Sequence, residues 1–293
     1  MIPAMTTPGP ESISLRSVAE HTSAEVAAAV TRSFEGYLVP IRMTAQGYER
    51  RFRGEDLDPF ASRVLSDTDG ALIGVVLVAR RGWTSRIAAM GLAPEARGQG
   101  LGRWLLDRAA AEARARGDRA VVLEVIEQNT PAVRLYESAG FRSLRRLVGY
   151  RKESSEEAPE TGETLTEIDP LDFARMVACE GEDHLPWMLA AETLSAATSP
   201  LRAVSLSGRA FALINDPAAE TLGLIAILVP RAERDKGLGT RLVRALEAAY
   251  PGKPWAVSAI VPEDLAPGFF AKAGWERQKL SQFEMRLELG ERT

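Results

Sequence analysis

Two hydrophobic periods alternate along this chain, and the alternation occurs twice. Near-continuous apolar runs, "ALIGVVLVA" (71–79) and "AVVLEVI" (120–126), read as strands buried on both faces. Between them Leu101, Leu105, Leu106, Ala109, Ala110 and Ala113 recur at the 3.6-residue period, and Gly117 stops the helix they predict. The same succession returns as "LGLIAILVP" (222–230), a helix with Leu238, Leu242, Val243 and Leu246, and "WAVSAIV" (255–261).

The flanking segments repeat in the same order. "ISLRSV" predicts an opening strand, and Thr22 or Ser23 caps a helix to about Phe34. A second helix covers Thr44 to Phe52. "FASRVL", "ALIGVVLVAR" and "TSRIAAMGL", separated by "DTDG" and "RGW", predict a three-strand meander. Pro131 starts a helix ending at Gly140, and "FRSLRRLVGY" is expected to close the unit. In the second half "GETLTEI", two helical stretches, "LRAVSLSGRAFALIN", "PGFFAKAG" and "QFEMRLEL" take the corresponding places. The expectation is a diverged tandem repeat of one α/β unit (α+β, mixed sheet): domains 1–152 and 163–293, joined by the acidic, Pro- and Gly-containing linker 153–162.

Charge changes the picture little. The chain of 293 residues has a formal net charge of −4. Residues 1–152 carry 22 Lys+Arg against 17 Asp+Glu, a balance of +5, leaving 14 against 23, or −9, for 153–293. A globally acidic chain argues against a nucleic-acid partner, whereas the basic half suits an anionic ligand or simply a solvated face. The single cysteine, Cys179, excludes an intramolecular disulfide and reads as a core residue; with His21 and His184 far apart, no metal site is expected. The longest apolar runs are about half a membrane span, so a cytoplasmic protein without membrane association is expected.

"RGQGLG" (97–102) leads from a strand into the patterned helix, and "RDKGLG" (234–239) returns 137 residues later. Bare backbone at a helix N-terminus suits a phosphate, which bonds the unpaired N–H groups there. Neither loop is followed by Lys-Ser or Lys-Thr, which excludes a Walker A loop, and the positions that would complete G-x-G-x-x-G are Arg103 or Leu105. What remains is Arg-x-x-Gly-x-Gly, followed about 30 residues on by "LEVIEQNTPAVRLYESAGF" (123–141). On these two motifs, in this order, each half resembles the GCN5-related N-acetyltransferases, the GNAT superfamily.

The resemblance implies an acetyl-CoA-dependent N-acetyltransferase without a metal, acting by direct attack of a primary amine on a small molecule or peptide. It implies that Arg97, Gly98, Gln99, Gly100, Leu101, Gly102 and Arg103 hold the coenzyme pyrophosphate. Backbone of Met90, Gly91 and Leu92 would line the pantetheine arm. Tyr136 is expected to protonate the departing thiolate, with helix packing as its alternative. Asn129 bonds the pantetheine or caps its helix. Glu124, the one charge in "AVVLEVI", is a candidate base working through water or the partner of a buried arginine. Phe34, Glu35, Tyr37 and Arg42 are candidate acceptor-site residues.

The second copy keeps Arg234, Gly237 and Gly239 as a candidate second CoA loop. Aligning the ends of the following helices puts Phe270, Glu263 and Ser258 where the first copy has Tyr136, Asn129 and Glu124. Catalysis is therefore expected in the first repeat, with a degenerate or structural second. The alternatives are a catalytic second repeat, as in some tandem relatives, a different acyl group or a protein N-terminus as acceptor, and a non-catalytic acyl-CoA-binding regulatory module. Oligomeric state is not encoded in these patterns.

Overall fold

The computed structural model describes residues 13–154 and 161–290; most of the acidic linker, 155–160, lies outside the described residues. The first half forms β1 (Ser14–Ser17), α1 (Ser23–Ser33), α2 (Ala45–Gly54), β2 (Arg63–Ser66), β3 (Leu72–Arg81), β4 (Thr84–Leu92), α3 (Leu101–Arg116), β5 (Ala120–Ile126), α4 (Thr130–Ser138) and β6 (Arg142–Lys152). Local chemistry sets the ends of these helices. Thr22 and Glu25 form a capping box on α1, Thr44 caps α2, and Gly117 ends α3 in the left-handed region.

The second half forms β7 (Leu165–Ile168), α5 (Pro170–Glu180), α6 (Ala191–Leu194), β8 (Arg202–Leu206), β9 (Ala210–Ile214), β10 (Leu222–Leu228), α7 (Leu238–Ala249), β11 (Trp255–Pro262), α8 (Phe269–Lys272) and β12 (Glu276–Glu288). The order of elements repeats as the hydrophobic pattern predicts.

Two compact units result, and their membership departs from the halves 1–152 and 163–293. Among the described residues, the first unit gathers 13–125, Asn129–Leu144 and 284–290; the second takes Ile126–Gln128, 145–154 and 161–283. The reason is an exchange of closing strands. The strand expected to close the first half, β6, pairs antiparallel with β11, from Trp255↔Lys152 to Pro262↔Leu147. Beside β5 lies β12 instead, where the Leu289 amide donates to the Arg119 carbonyl at 2.8 Å. The two strands follow equivalent helices and both alternate apolar and polar residues, so the pattern that identifies them as strands does not say which neighbour each takes.

Within the first unit the strand order is β1-β2-β3-β4-β5 followed by the end of β12; within the second, β12 to Phe283 is followed by β6-β11-β10-β9-β8-β7. Each unit has one parallel pair in an otherwise antiparallel sheet, and each parallel pair comes apart. The β4–β5 ladder ends at Ile87↔Leu123 and the β10–β11 ladder at Gly223↔Ala256, although β4 and β10 run on to Leu92 and Leu228. One extra residue bulges β4 at Ala88 and β10 at Ile225, again 137 residues apart. Both units therefore hold a V-shaped opening between their central strands, and the glycine loops follow directly from the strands that form it.

Candidate active site

In the first unit Gly98 and Gly100 have φ of +74° and +78°, and a Cβ added to either would meet nothing within 4 Å. The left-handed backbone and open space leave room for a ligand against the main chain. Thr22, Thr44, Asn129 and Asp169 cap α1, α2, α4 and α5 through their side chains, whereas α3 and α7, behind the two glycine loops, have no side-chain cap. Their first-turn N–H groups are thus available to an anion. These residues fit a coenzyme pyrophosphate.

The two arginines of the loop serve differently from expectation. Arg97 donates from Nε to the Leu92 carbonyl (2.9 Å) and from Nη2 to those of Ser33 (3.3 Å) and Glu35 (2.6 Å), tying the end of α1 to the loop. Arg103 is paired with Asp107 at 2.8 Å and bonds the Ser138 carbonyl at 3.1 Å. Both guanidiniums are committed to the protein, so the backbone carries the anion-binding character. Gln99 donates to the Glu95 carbonyl at 2.7 Å, Leu101 is buried, and Gly102 faces Leu135 of α4.

Met90, Gly91 and Leu92 end β4 on the edge of the opening. A Cβ on Gly91 would come within 3.0 Å of both the Phe34 ring and the Ser33 carbonyl, which seats the end of α1 on this strand. From the loop beyond, Tyr37 packs edge-on against Phe34 at 5.2 Å and comes close enough to the Asn129 side chain for that amide to favour its phenolate. Asn129 also caps α4, accepting from the Ala132 amide at 3.4 Å. Two turns further Tyr136 is 7% exposed, edge-on to Phe141 at 5.9 Å. Burial raises its phenol far above the ordinary range, and the neighbouring Tyr37 adds to the effect. Tyr37, Asn129 and Tyr136 therefore meet at one place. Glu35 pairs with Arg32, and Arg42 is exposed.

Glu124 is partnered by a buried arginine, a contact that leaves its role as a base open. Arg86 of β4 reaches its two oxygens at 3.2 and 2.8 Å and pairs with Glu55, at the end of α2, at 2.7 Å. Arg51 closes the chain, bonding Glu55 at 2.6 Å and the Ala88 carbonyl, on the bulge, at 3.1 Å. Burial lifts the Glu124 carboxyl above the usual carboxylate range despite the pull of Arg86. Glu55 experiences the opposite balance: burial raises it, but Arg51 and Arg86 together hold it below. Arg51, Glu55 and Arg86 escaped sequence reasoning because a polar residue in an amphipathic helix or an edge of a strand carries no signal of its partner. A charge inside "TSRIAAMGL", on the strand before Glu124, is the one cue available.

The second unit repeats the scaffold and loses the polar groups. Arg234 bonds the Val229 and Glu180 carbonyls at 3.1 and 3.0 Å, as Arg97 bonds those of Leu92 and Ser33. Gly237 has φ +73°, and Asp235, at +61°, stands where the first loop has Gly98. Gly239 lies under Phe269, whose ring would be 2.9 Å from an added Cβ. Phe270 stacks on Tyr150 at 4.3 Å, Ser258 is exposed, and Glu263 pairs with Arg277. A cavity of ≈ 760 Å³ fills the opening, bounded by Ile227, Gly237, Val261 and Phe269. Cys179 is exposed on α5, correcting its expected place in the core. Among the described residues no group of three or more His, Cys, Asp or Glu is placed to hold a metal ion, and no helix is long and apolar enough to cross a membrane.

The splayed strands, the bulge and the uncapped helix behind the glycine loop of the first unit lie within residues 27–141, which match the acetyltransferase (GNAT) family. Over these residues the chain is similar to the GCN5-related N-acetyltransferases. It is 34% identical over 151 residues to mycothiol acetyltransferase of Thermobispora bispora, covering 49% of this chain and 51% of the relative. Over 90 residues it is 39% identical to streptothricin acetyltransferase of Streptomyces lavendulae, covering 30% and 47%. The matches thus span about half the length of these curated relatives. A GCN5-related N-acetyltransferase from Sphaerobacter thermophilus shares the fold with a TM-score of 0.69 at 20% identity, covering 96% of this chain and 97% of that one. A tandem GNAT protein from the clavulanic acid biosynthesis pathway shares it with a TM-score of 0.64 at 16% identity, covering 96% and 100%.

Proposed function

We propose that the protein is an acetyl-CoA-dependent N-acetyltransferase whose active site lies in the first unit. The observation that carries this reading is the meeting of Tyr136, Asn129 and Tyr37 beside the opening that the Gly98–Gly100 loop follows. The coenzyme supplies an activated acetyl group as its thioester. Main-chain N–H groups at the start of α3 would hold its pyrophosphate, and the backbone of Met90–Leu92 would line its arm and polarise the carbonyl. Tyr136, kept protonated by burial, donates from Oη to the departing sulfur. Glu124 accepts a proton from the acceptor amine through water, its raised proton affinity placing it nearer to working pH than an ordinary carboxylate. The acceptor amine would approach past Phe34 and Tyr37, with Glu35 and Arg42 on the same loop.

The cavity behind Gly237 favours a second reading in which the second unit binds coenzyme or carries the reaction. Against it stand Phe270, which has no proton to donate, and Ser258, which carries no carboxylate, where the first unit has Tyr136 and Glu124.

Calorimetric titration with acetyl-CoA separates the two. One site per chain, lost in Gly100→Asp and kept in Gly237→Asp, is expected; loss only in Gly237→Asp would move the site to the second unit. Across a panel of amine acceptors, Tyr136→Phe should lower turnover by about 100-fold with coenzyme affinity retained, the lower end of what a positioned acid contributes. An unchanged rate would remove Tyr136 from the chemistry.

A further inference from the structure

The strand exchange brings two glutamates from opposite halves of the chain face to face. The bond from the Leu289 amide to the Arg119 carbonyl sets the register of β12 on β5, and five residues further along each strand Glu284 lies across from Glu124. The Glu127 amide, donating to the Ser281 carbonyl at 2.9 Å, keeps the same offset, so no bulge intervenes. Bonded pairs fall on odd-numbered residues of β5. Glu124 and Glu284 therefore form a non-hydrogen-bonded pair, the type whose side chains stand closest and share a face.

Glu284 is 5% exposed, and its charge raises the Glu124 carboxyl further. Like charges directly opposite destabilise a sheet, and two buried carboxylates cannot both ionise cheaply. The fold does not require them. In the second unit Gly223 stands where the first has Arg86, Ser258 replaces Glu124, and β6 presents Gly149, whose missing Cβ would lie 3.1 Å from the Ser258 carbonyl carbon. The same architecture thus stands there without any of the three charges.

We propose that Glu284 is a positioning residue of the first unit that acts through Glu124, its charge across the strand pair favouring the proton on that carboxyl. The proposal rests on Glu124 being the base. The other charged groups facing it are Arg86 from β4 and Glu55 with Arg51 from α2. Arg86 draws the proton off Glu124 and the Glu284 charge favours it, so Glu124, once ionised, takes up a proton more readily than an isolated Glu124–Arg86 bridge would.

The test uses the full chain with ¹³C at the glutamate side-chain carboxyls, titrated by NMR from acid to mildly alkaline pH. Wild type should show Glu124, assigned by its loss in Glu124→Gln, titrating above the ordinary carboxylate range. In Glu284→Gln its midpoint should fall by on the order of one pH unit. Glu284→Asp, which keeps the charge on a shorter arm, should leave the midpoint raised. An unmoved midpoint in Glu284→Gln, or equal shifts in the Gln and Asp variants, would overturn the proposal by showing that packing and not charge is sensed. Because the readout needs no acceptor or coenzyme, it is independent of the acetyl-CoA titration: a coupled titration supports the pair even in a chain that binds no acetyl-CoA, where the active-site assignment alone would fall.

Discussion

Arg86 illustrates how one side chain decides the character of a site. It is 7% exposed in its side chain and bridges Glu55 and Glu124, so its removal would leave two buried carboxylates facing each other across an uncharged gap. Breaking such a pair from one side costs about 3–5 kcal/mol, and we expect Arg86→Met to lower the melting temperature accordingly. The two carboxylates it holds respond to pH with opposite sign. Glu124 binds its proton more tightly folded than unfolded, so it favours the fold fully below its ordinary value of 4.5 and less as pH rises towards its raised one. Glu55 binds its proton less tightly folded, so its contribution is present above 4.5 and lost as pH falls towards its depressed value. Melting curves against pH should therefore separate the variants. Glu124→Gln removes a decline on the neutral side of 4.5, Glu55→Gln one on the acid side, and the same slope in both would contradict this assignment.

Among the elements, the end of α1 is the joint on which the opening depends. Arg97 bonds three carbonyls there, and Gly91 leaves room for the Phe34 ring and the Ser33 carbonyl. Gly91→Ala should cost about 1–3 kcal/mol, as overpacking does, and weaken coenzyme binding because the displaced helix end carries the loop arginine's partners with it. Binding unchanged beside a lowered melting point would separate the joint from the coenzyme site. The helices and strands themselves could be read from the sequence because each has its own signal: the 3.6 period of α3, the capping threonines, the apolar runs of β3 and β5. The glycine loop and Tyr136 could be read as well, since their chemistry lies within a few residues of one motif. Arg86 with Glu55 could not, because pairing between a strand and a helix end 31 residues away depends on packing that no local period records. Nor could Glu284, which is 160 residues from Glu124 in sequence and indistinguishable in "QFEMRLEL" from a solvated strand residue.

For the molecule as a whole, the exchange of β6 and β12 means that neither half owns its unit. Met285 is 1% exposed and the Leu287 side chain lies 3.3 Å from where Gly140 would carry a Cβ, so the end of β12 packs into the first unit. Ending the chain at Phe283 should abolish cooperative unfolding of the first unit and its acetyl-CoA binding while β7–β11 keep their own core. Retained coenzyme binding would show the strand to be dispensable. The exchange also governs when the protein can come into being. On the ribosome, the β5 edge that β12 covers waits for residues 276–288, and a nascent chain that has passed Tyr136 but not reached them carries the tyrosine, the glycine loop and Glu124 in an unfinished sheet. Contacts so distant in sequence form slowly, and an open strand edge invites a neighbour on the same polysome to supply the missing partner. Birth of this protein is therefore a race between its own tail and that of another copy.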